Sequence, residues 1–560
     1  MTTLRLGPLL RHVGERHATI WLETTSACAI TITVGDVTAN DTTFKVAGHY
    51  YGMVVVAGLE PGSTTEYSVD LDGIRVWPPD DTPFPPSRIR TLAEQAGAVR
   101  VLFGSCREPQ EGRGVPDLDP DVLSAYAVRM ASQAHERWPD VLLMLGDQVY
   151  ADDPSPAIRR LIDERRAARP GPRDEVADYD EYAALYDEAW GRPEIRWLLS
   201  TLPSGMIFDD HDVRDDWNTS HAWRMDMQAT KWWEQRITVA LMSYWVYQHL
   251  GNLSPAELCS NETLAAVRAA DDGEDILRRF AVAADREADG AKGAMWSFRR
   301  DLGRVRLLVI DSRCGRLLAD GRRAMVGDRE FRWIEEQVEE GGYDHLVVGT
   351  SVPWLLPRAL HDIEAWDEAI SDGTRGRTVA RVGEWLRRAV DLEHWAAFRE
   401  SFDRLASLFG RIGRGDHGEA PPATICVLSG DVHHSYVAEA SYPDDIASRV
   451  YQITCSPMHN TIPRVMRFVF RLGWSARAAR ATRILGRSFG VPPPSIGWRH
   501  PAGPLFGNEL GLLAFEGRSA TVTFERAVPE PALRPGERRD LLDEGLAIAA
   551  ELSLTKSPGR

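Results

Sequence analysis

The sequence predicts two units in series: an all-β sandwich and then a large α/β domain. Three observations carry that reading. Residues 1–93 hold short β-branched runs separated by turn residues, among them HATIWLETT, CAITITVGD and EYSVDLDGIRVW. A proline-rich link follows, from Trp77-Pro78-Pro79 to Pro85-Pro86. Beyond it the pattern changes to short apolar runs that each end in Gly, Ser, Asp, Cys or His, with helical stretches between them.

The first unit has the length of a β-sandwich. Its turn Leu59-Glu60-Pro61-Gly62, feeding a strand to Tyr67, is similar to the same place in fibronectin type III domains. In the second unit the strands are expected at 99–106, 139–150, 204–212, 304–313, 344–353, 424–434 and 451–457. Helices are expected at 120–137, 157–166, 180–200, 221–250, 274–289, 328–340 and 376–410. Residues 510–527 read as a closing hairpin, and LLDEGLAIAAEL near the end as a helix before a loose tail. The expected division is 1–93 for the sandwich, 94–527 for the α/β domain and 528–560 for the terminal helix and tail.

Composition bounds the function. The apolar fraction of 43% and the 18 tryptophans exclude a disordered chain. The net charge of −17 disfavours a stable nucleic-acid complex. Only Lys45, Lys231, Lys292 and Lys556 are lysines, so nearly every cation is arginine. The six cysteines form no CxxC pair, which argues against a zinc knuckle or a disulfide scaffold. The amino terminus shows neither a signal peptide nor a twin-arginine pair, so a cytoplasmic protein is expected, or an exported one if the start is incomplete.

Four strand ends carry the chemistry: Gly104-Ser105-Cys106, Gly146-Asp147-Gln148-Val149-Tyr150, Asp209-Asp210-His211-Asp212 and Gly430-Asp431-Val432-His433-His434. Sites in open α/β sheets lie at such ends. An Asp after a strand is usually a helix cap, but four such ends in one chain point to metal binding. Their order resembles the metallophosphoesterase signature. GSC, GDQVYADD, FDDHDV, VIDSR and SGDVHHS together resemble the alkaline phosphatase D (PhoD-like) family over roughly residues 1–525. The resemblance implies a two-sheet αββα sandwich behind the β-sandwich, and a phosphoester hydrolase. It implies that Asp147 bridges two metals and that Cys106, Tyr150 and His433 complete a ferric site. It implies that Asp210 and Asp431 hold a second ion, and that His211 protonates the leaving group or binds the transition state.

The donor types agree with that division. Thiolate and phenolate stabilise highly charged iron, while carboxylates favour a hard ion. Residues 347–354 offer Ser351 but no histidine, so calcium is expected beside Fe3+, with Mg2+, Mn2+ or Zn2+ as alternatives. Arg107 and His434 are the substrate-binding candidates. Arg107 could instead balance local acids, and His434 could support a neighbour or be a satisfied surface imidazole. Asp152 and Asp153 read as helix-start or solvent charges. Asp209 and Asp212 read as orienting neighbours, and Asp311 with Arg313 as an internal salt bridge.

Residues 446–508 contain no Asp or Glu; 464–487 carry seven arginines, and Val465, Phe468, Val469 and Leu472 recur there at helical spacing. This segment reads as a basic amphipathic helix or pair. It either pairs with the excess acids or offers a membrane-surface or anionic contact near the substrate entrance. The expected activity is metal-assisted cleavage of phosphodiesters, phosphomonoesters or both, in small-molecule or lipid substrates. The alternative is a degenerate metal-binding or partner-binding protein that uses its β-sandwich.

Overall fold

A computed structural model describes residues 2–94, 97–109, 120–166, 172, 174–288, 290–319, 321–416, 418, 420–460, 464–528 and 545–555. The amino-terminal strands form two facing sheets. In one, Leu4–Val13, His17–Thr24, His49–Ala57 and Phe44–Val46 lie side by side. In the other, Val37–Thr42, Ala29–Val34, Thr64–Leu71 and Ile74–Trp77 do so, with Arg88–Arg90 added beside Thr64–Leu71. Alternation along Ala29–Val34 sends Ile30, Ile32 and Val34 inward and leaves the threonines partly exposed. The inner faces bury Leu10, Ile20, Leu22, Ile30, Val54 and Val69 between them.

The first sheet is buried on its other face as well. Leu6, Leu9, Trp21, Tyr51 and Met53 belong to the same continuous core as Leu143, Trp190 and Tyr247 of the α/β domain. The sandwich is therefore a packing partner of that domain. Arg5 pairs with Asp187 at 2.7 Å, and His49 joins Glu23 at 2.8 Å to Asp180 at 2.9 Å across the junction.

The α/β domain has two sheets packed face to face. The six-stranded one runs Ser204–Ile207, Val141–Leu145, Ala98–Gly104, Glu509–Glu516, Ser519–Ala527, Leu546–Ser553. The seven-stranded one runs Phe298–Leu302, Val305–Ile310, His345–Thr350, Thr424–Ser429, Arg449–Thr454, Ser435–Ser441, Gly497–Leu505. Val141–Leu145, His345–Thr350 and Thr424–Ser429 are buried at every position, as strands covered on both faces must be. A Cβ on Gly349 would stand 3.0 Å from Leu145 of the opposing sheet, which shows how closely the layers meet. Helices Asp328–Glu339 and Arg399–Arg414 cover the outer face of the seven-stranded sheet through Phe331, Ile334, Phe402 and Phe409. This is the αββα arrangement.

Some elements differ from the sequence reading. The expected helix LLDEGLAIAAEL is a strand over its described part, Leu546–Ser553; residues 541–544 lie outside the described residues. Its backbone pairs with Ser519–Ala527, and the exposed edge of that strand outweighs the helix propensity of its alanines. Arg358–Ser371 is a helix that the sequence reading left out. The basic segment forms two helices, Arg464–Gly473 and Ala476–Ser488. Among the described residues, no helix is long and apolar enough to cross a membrane.

Candidate metal centre

The polar strand ends converge because parallel strands present their carboxyl ends on one side of each sheet. Ala98–Gly104, Val141–Leu145 and Ser204–Ile207 run parallel in one sheet, and Thr424–Ser429 runs parallel to His345–Thr350 in the other. The chain turns sharply as it leaves them. Cys106, Asp147, Asp431 and His433 all take left-handed backbone, with φ of 55°, 49°, 67° and 50°. Such strain in non-glycine residues gathers at functional sites. Gly146 has φ 110°, and a Cβ there would lie 2.6 Å from Cβ of Asp209, so only glycine fits before Asp147. Gly430 donates to the Ser351 carbonyl at 2.9 Å, and Cys106 to the Gly146 carbonyl at 3.3 Å, which ties the loops to one another.

Two acid-rich groups result. Asp147, Asp210 and His211 bring one ligand atom each within 4.8 Å of one another, and so do Asp209, Asp210 and Asp431. Asp210 belongs to both. Asp147 Oδ1, Asp209 Oδ2 and Asp210 Oδ1 are buried and accept no hydrogen bond among the described residues. Burial pushes the Asp147 and Asp209 carboxyls well above the usual range. Burial first, and then the Asp147 charge, also raises the Cys106 thiol and the Tyr150 phenol. Ser456 donates to Cys106 Sγ at 3.2 Å, and Asn460 to the Tyr150 oxygen at 3.1 Å.

Arg313 is the counter-charge of the second group. Its fully buried guanidinium pairs with Asp209, with Asp210 at 3.3 Å, with Glu393 at 2.5 Å and with Asp431 at 3.4 Å. The salt bridge read from sequence therefore exists, but not with the Asp311 side chain. Asp311 instead accepts the Arg313 backbone N–H at 2.9 Å.

Two histidines are held by carboxylates. His211 Nδ1 donates to Asp152 at 3.0 Å, and its ring lies 4.8 Å from that of Tyr150. Burial would lower its pKa, but Asp152 and then Asp210 raise it well above the ordinary value. Asp152 is thus no solvent charge: it is nearly buried, with its pKa drawn down to about 2 against its own desolvation by His211. His394 Nε2 donates to Asp431 at 2.7 Å, while its Nδ1 meets Glu364 at 2.5 Å. No strand-end pattern announces His394. It comes from the loop before Arg399–Arg414, and both of its ring nitrogens are taken by carboxylates. Ser351 is itself buried against Ser312 at 2.8 Å.

Both substrate-binding candidates are corrected. Arg107 is buried, bound to Asp121 at 2.6 Å and to the Ala189 carbonyl at 2.5 Å, so its donors are used inside the protein. His434 is fully buried: it donates from Nδ1 to the Val432 carbonyl at 2.7 Å and accepts from Trp474 Nε1 at 3.2 Å. The hydrogen-bonding atoms of both side chains are taken by internal partners. His433 stays partly exposed, with its pKa pressed down to about 4 by burial, and lies outside both acid groups.

Residues 122–465 match the family model described as PhoD-like phosphatase. The chain belongs to that family. This PhoD-like protein is accordingly a phosphoesterase. Residues 1–89 match a second model, described as a domain of unknown function (DUF7800). Among solved structures, the phosphatase is similar to one titled "Structure of PhoD", at 10% identity and a TM-score of 0.58 over 98% of this chain and 90% of that one. It also matches purple acid phosphatase PPD1 from yellow lupin (Lupinus luteus) seeds, at 10% identity and a TM-score of 0.49 over 98% and 74% of the two chains. No curated protein matches the chain.

Proposed function

We propose that this phosphatase cleaves phosphodiesters or phosphomonoesters, in small-molecule or lipid substrates, at a two-metal centre. The observation that supports this most is the group of buried carboxylate oxygens without hydrogen bonds on Asp147, Asp209 and Asp210. Carboxylates buried in such density call for cations, and Arg313 reaches Asp209, Asp210 and Asp431 but not Asp147. The residues therefore fit metal ions. Cys106, Asp147, Tyr150 and His433 would hold ferric iron. Asp210 and Asp431 would hold calcium, or magnesium, manganese or zinc. Bound metal supplies Lewis acidity toward the phosphoryl oxygens and acidifies water.

The chain's own residues do the rest. Asp152 fixes His211 through Nδ1 and favours the protonated ring, so Nε2 is left to carry a proton to the departing oxygen. Arg313 holds Asp209, Asp210 and Asp431 in place by spanning them. His394, backed by Glu364, fixes the second oxygen of Asp431. The test is turnover of a chromogenic phosphodiester and its monoester by protein of measured metal content, beside Asp147→Asn. The expected outcome is a fall of at least about a hundredfold in turnover together with loss of bound metal. Undiminished turnover in the variant would remove the proposal.

A further inference from the structure

A second cationic site lies away from the acid groups. A groove of about 610 Å3 runs between the edge strand Gly497–Leu505 and the helices Arg358–Ser371 and Ala476–Ser488. That volume suits a small organic ligand. Trp498 and His500, two residues apart on the strand, face it together. Arg480 and Arg483 line it from one face of the basic helix, Arg358 from the first turn of the other helix, and Trp474 from the turn between the two basic helices.

Its cations are poorly compensated. Arg358 stacks 3.9 Å over Trp498, and its Nη1 is buried with no hydrogen-bond acceptor. Arg480 has no hydrogen bond or ion pair among the described residues. Arg483 meets only Asp362, at 3.7 Å. His500 Nε2 is buried without a partner, and its ring lies 4.5 Å from Trp474. Burial, and then Arg358, holds His500 neutral with a pKa of about 4. Ser475 caps the basic helix by accepting from Ala478, so the positive end of that helix opens on the groove as well. Three guanidiniums with unused donors select a multidentate oxyanion, and the two indoles offer flat apolar walls to whatever carries it.

We propose that this groove is a non-catalytic binding site for a phosphate group borne by an organic ligand. Arg358, Arg480 and Arg483 take the phosphate oxygens, and Trp474 and Trp498 contact the attached body. Trp474 also donates to His434, the neighbour of His433, so the groove touches the strand end that carries Asp431. The phosphate comes either from a soluble ester or from a lipid headgroup. The site stands on the groove alone and does not depend on the metal centre.

The test compares wild-type holoenzyme with Arg480→Gln/Arg483→Gln at fixed ionic strength. Inorganic phosphate is titrated calorimetrically, and sedimentation is followed with phosphatidylcholine vesicles with and without phosphatidate. Two phosphate-binding steps are expected in the wild type, one of them weakened more than about tenfold in the variant. Turnover of the chromogenic monoester should stay within about twofold, since neither arginine stands among the acid groups. Phosphatidate-dependent sedimentation lost in the variant assigns the phosphate to a lipid; a lost phosphate step without sedimentation assigns it to a soluble ester. Identical phosphate titrations and identical sedimentation in both proteins would overturn the proposal.

Discussion

At the scale of single residues, the site is defined by which carboxylates have partners and which do not. Asp152 acts through His211 and touches no other ionisable side chain of the acid groups. Asp152→Asn should therefore lower kcat about tenfold to a hundredfold while KM changes little. An equal rise in KM would show that Asp152 serves binding instead. Arg313 is the opposite case, one cation among three buried acids and the partly exposed Asp431. Arg313→Met leaves those charges uncompensated and should cost about 3–5 kcal/mol in denaturant unfolding. Added calcium should restore part of that loss, because bound cation favours the folded state. Asp147, Asp210 and Asp431, which the fold brings into the acid groups, are legible in the sequence because each follows an apolar run. Asp152, Glu364, Glu393 and His394 are not. They reach the site from loops and helices whose own pattern carries no sign of it.

At the scale of elements, the errors have one cause. Arg107 and His434, the substrate-binding candidates, are each the chain neighbour of a candidate ligand, Cys106 and His433. Cys106 and His433 stand in left-handed turns beyond their strands, and each such turn sends the next side chain, Arg107 or His434, into the protein interior. The strand Leu546–Ser553 shows a related limit: a partner strand's open edge decides its form, and local propensity does not. Between elements, His49 bridges Glu23 of its own sheet and Asp180 at the start of Tyr179–Trp190. Desolvation lowers its pKa, but the hydrogen bonds to Asp180 and Glu23 win and raise it to about 9. A raised pKa stabilises the fold fully below the ordinary value near 6.5 and progressively less as pH rises toward 9. The linked stability is on the order of 3 kcal/mol. His49→Gln should flatten unfolding free energy across that window, and an unchanged pH slope would rule the bridge out.

At the scale of the whole molecule, the β-sandwich is part of the fold that holds the site. Trp21, Leu6 and Tyr51 lie in one core with Trp190 and Tyr247, and Tyr51 bonds both Tyr179 and Tyr247 at 3.1 Å. Expression of residues 94–560 alone would expose that apolar face, and should give insoluble protein where the full chain is soluble. Soluble, active 94–560 would show that the two units are independent.

The sequence by itself determined the fold class, because runs of fully buried strands and the change of period after the proline link are local signals. It also determined which strand ends carry acidic and histidine side chains, because polar residues closing apolar runs are visible in one dimension. Only the tertiary structure decided which side chains meet. Arg313 among four acids, Asp152 behind His211, His394 on Asp431 and the arginine groove beside Trp474 all join residues far apart in the chain. Their contacts are set by sheet order and by the direction each side chain leaves its backbone, and neither is written in local composition.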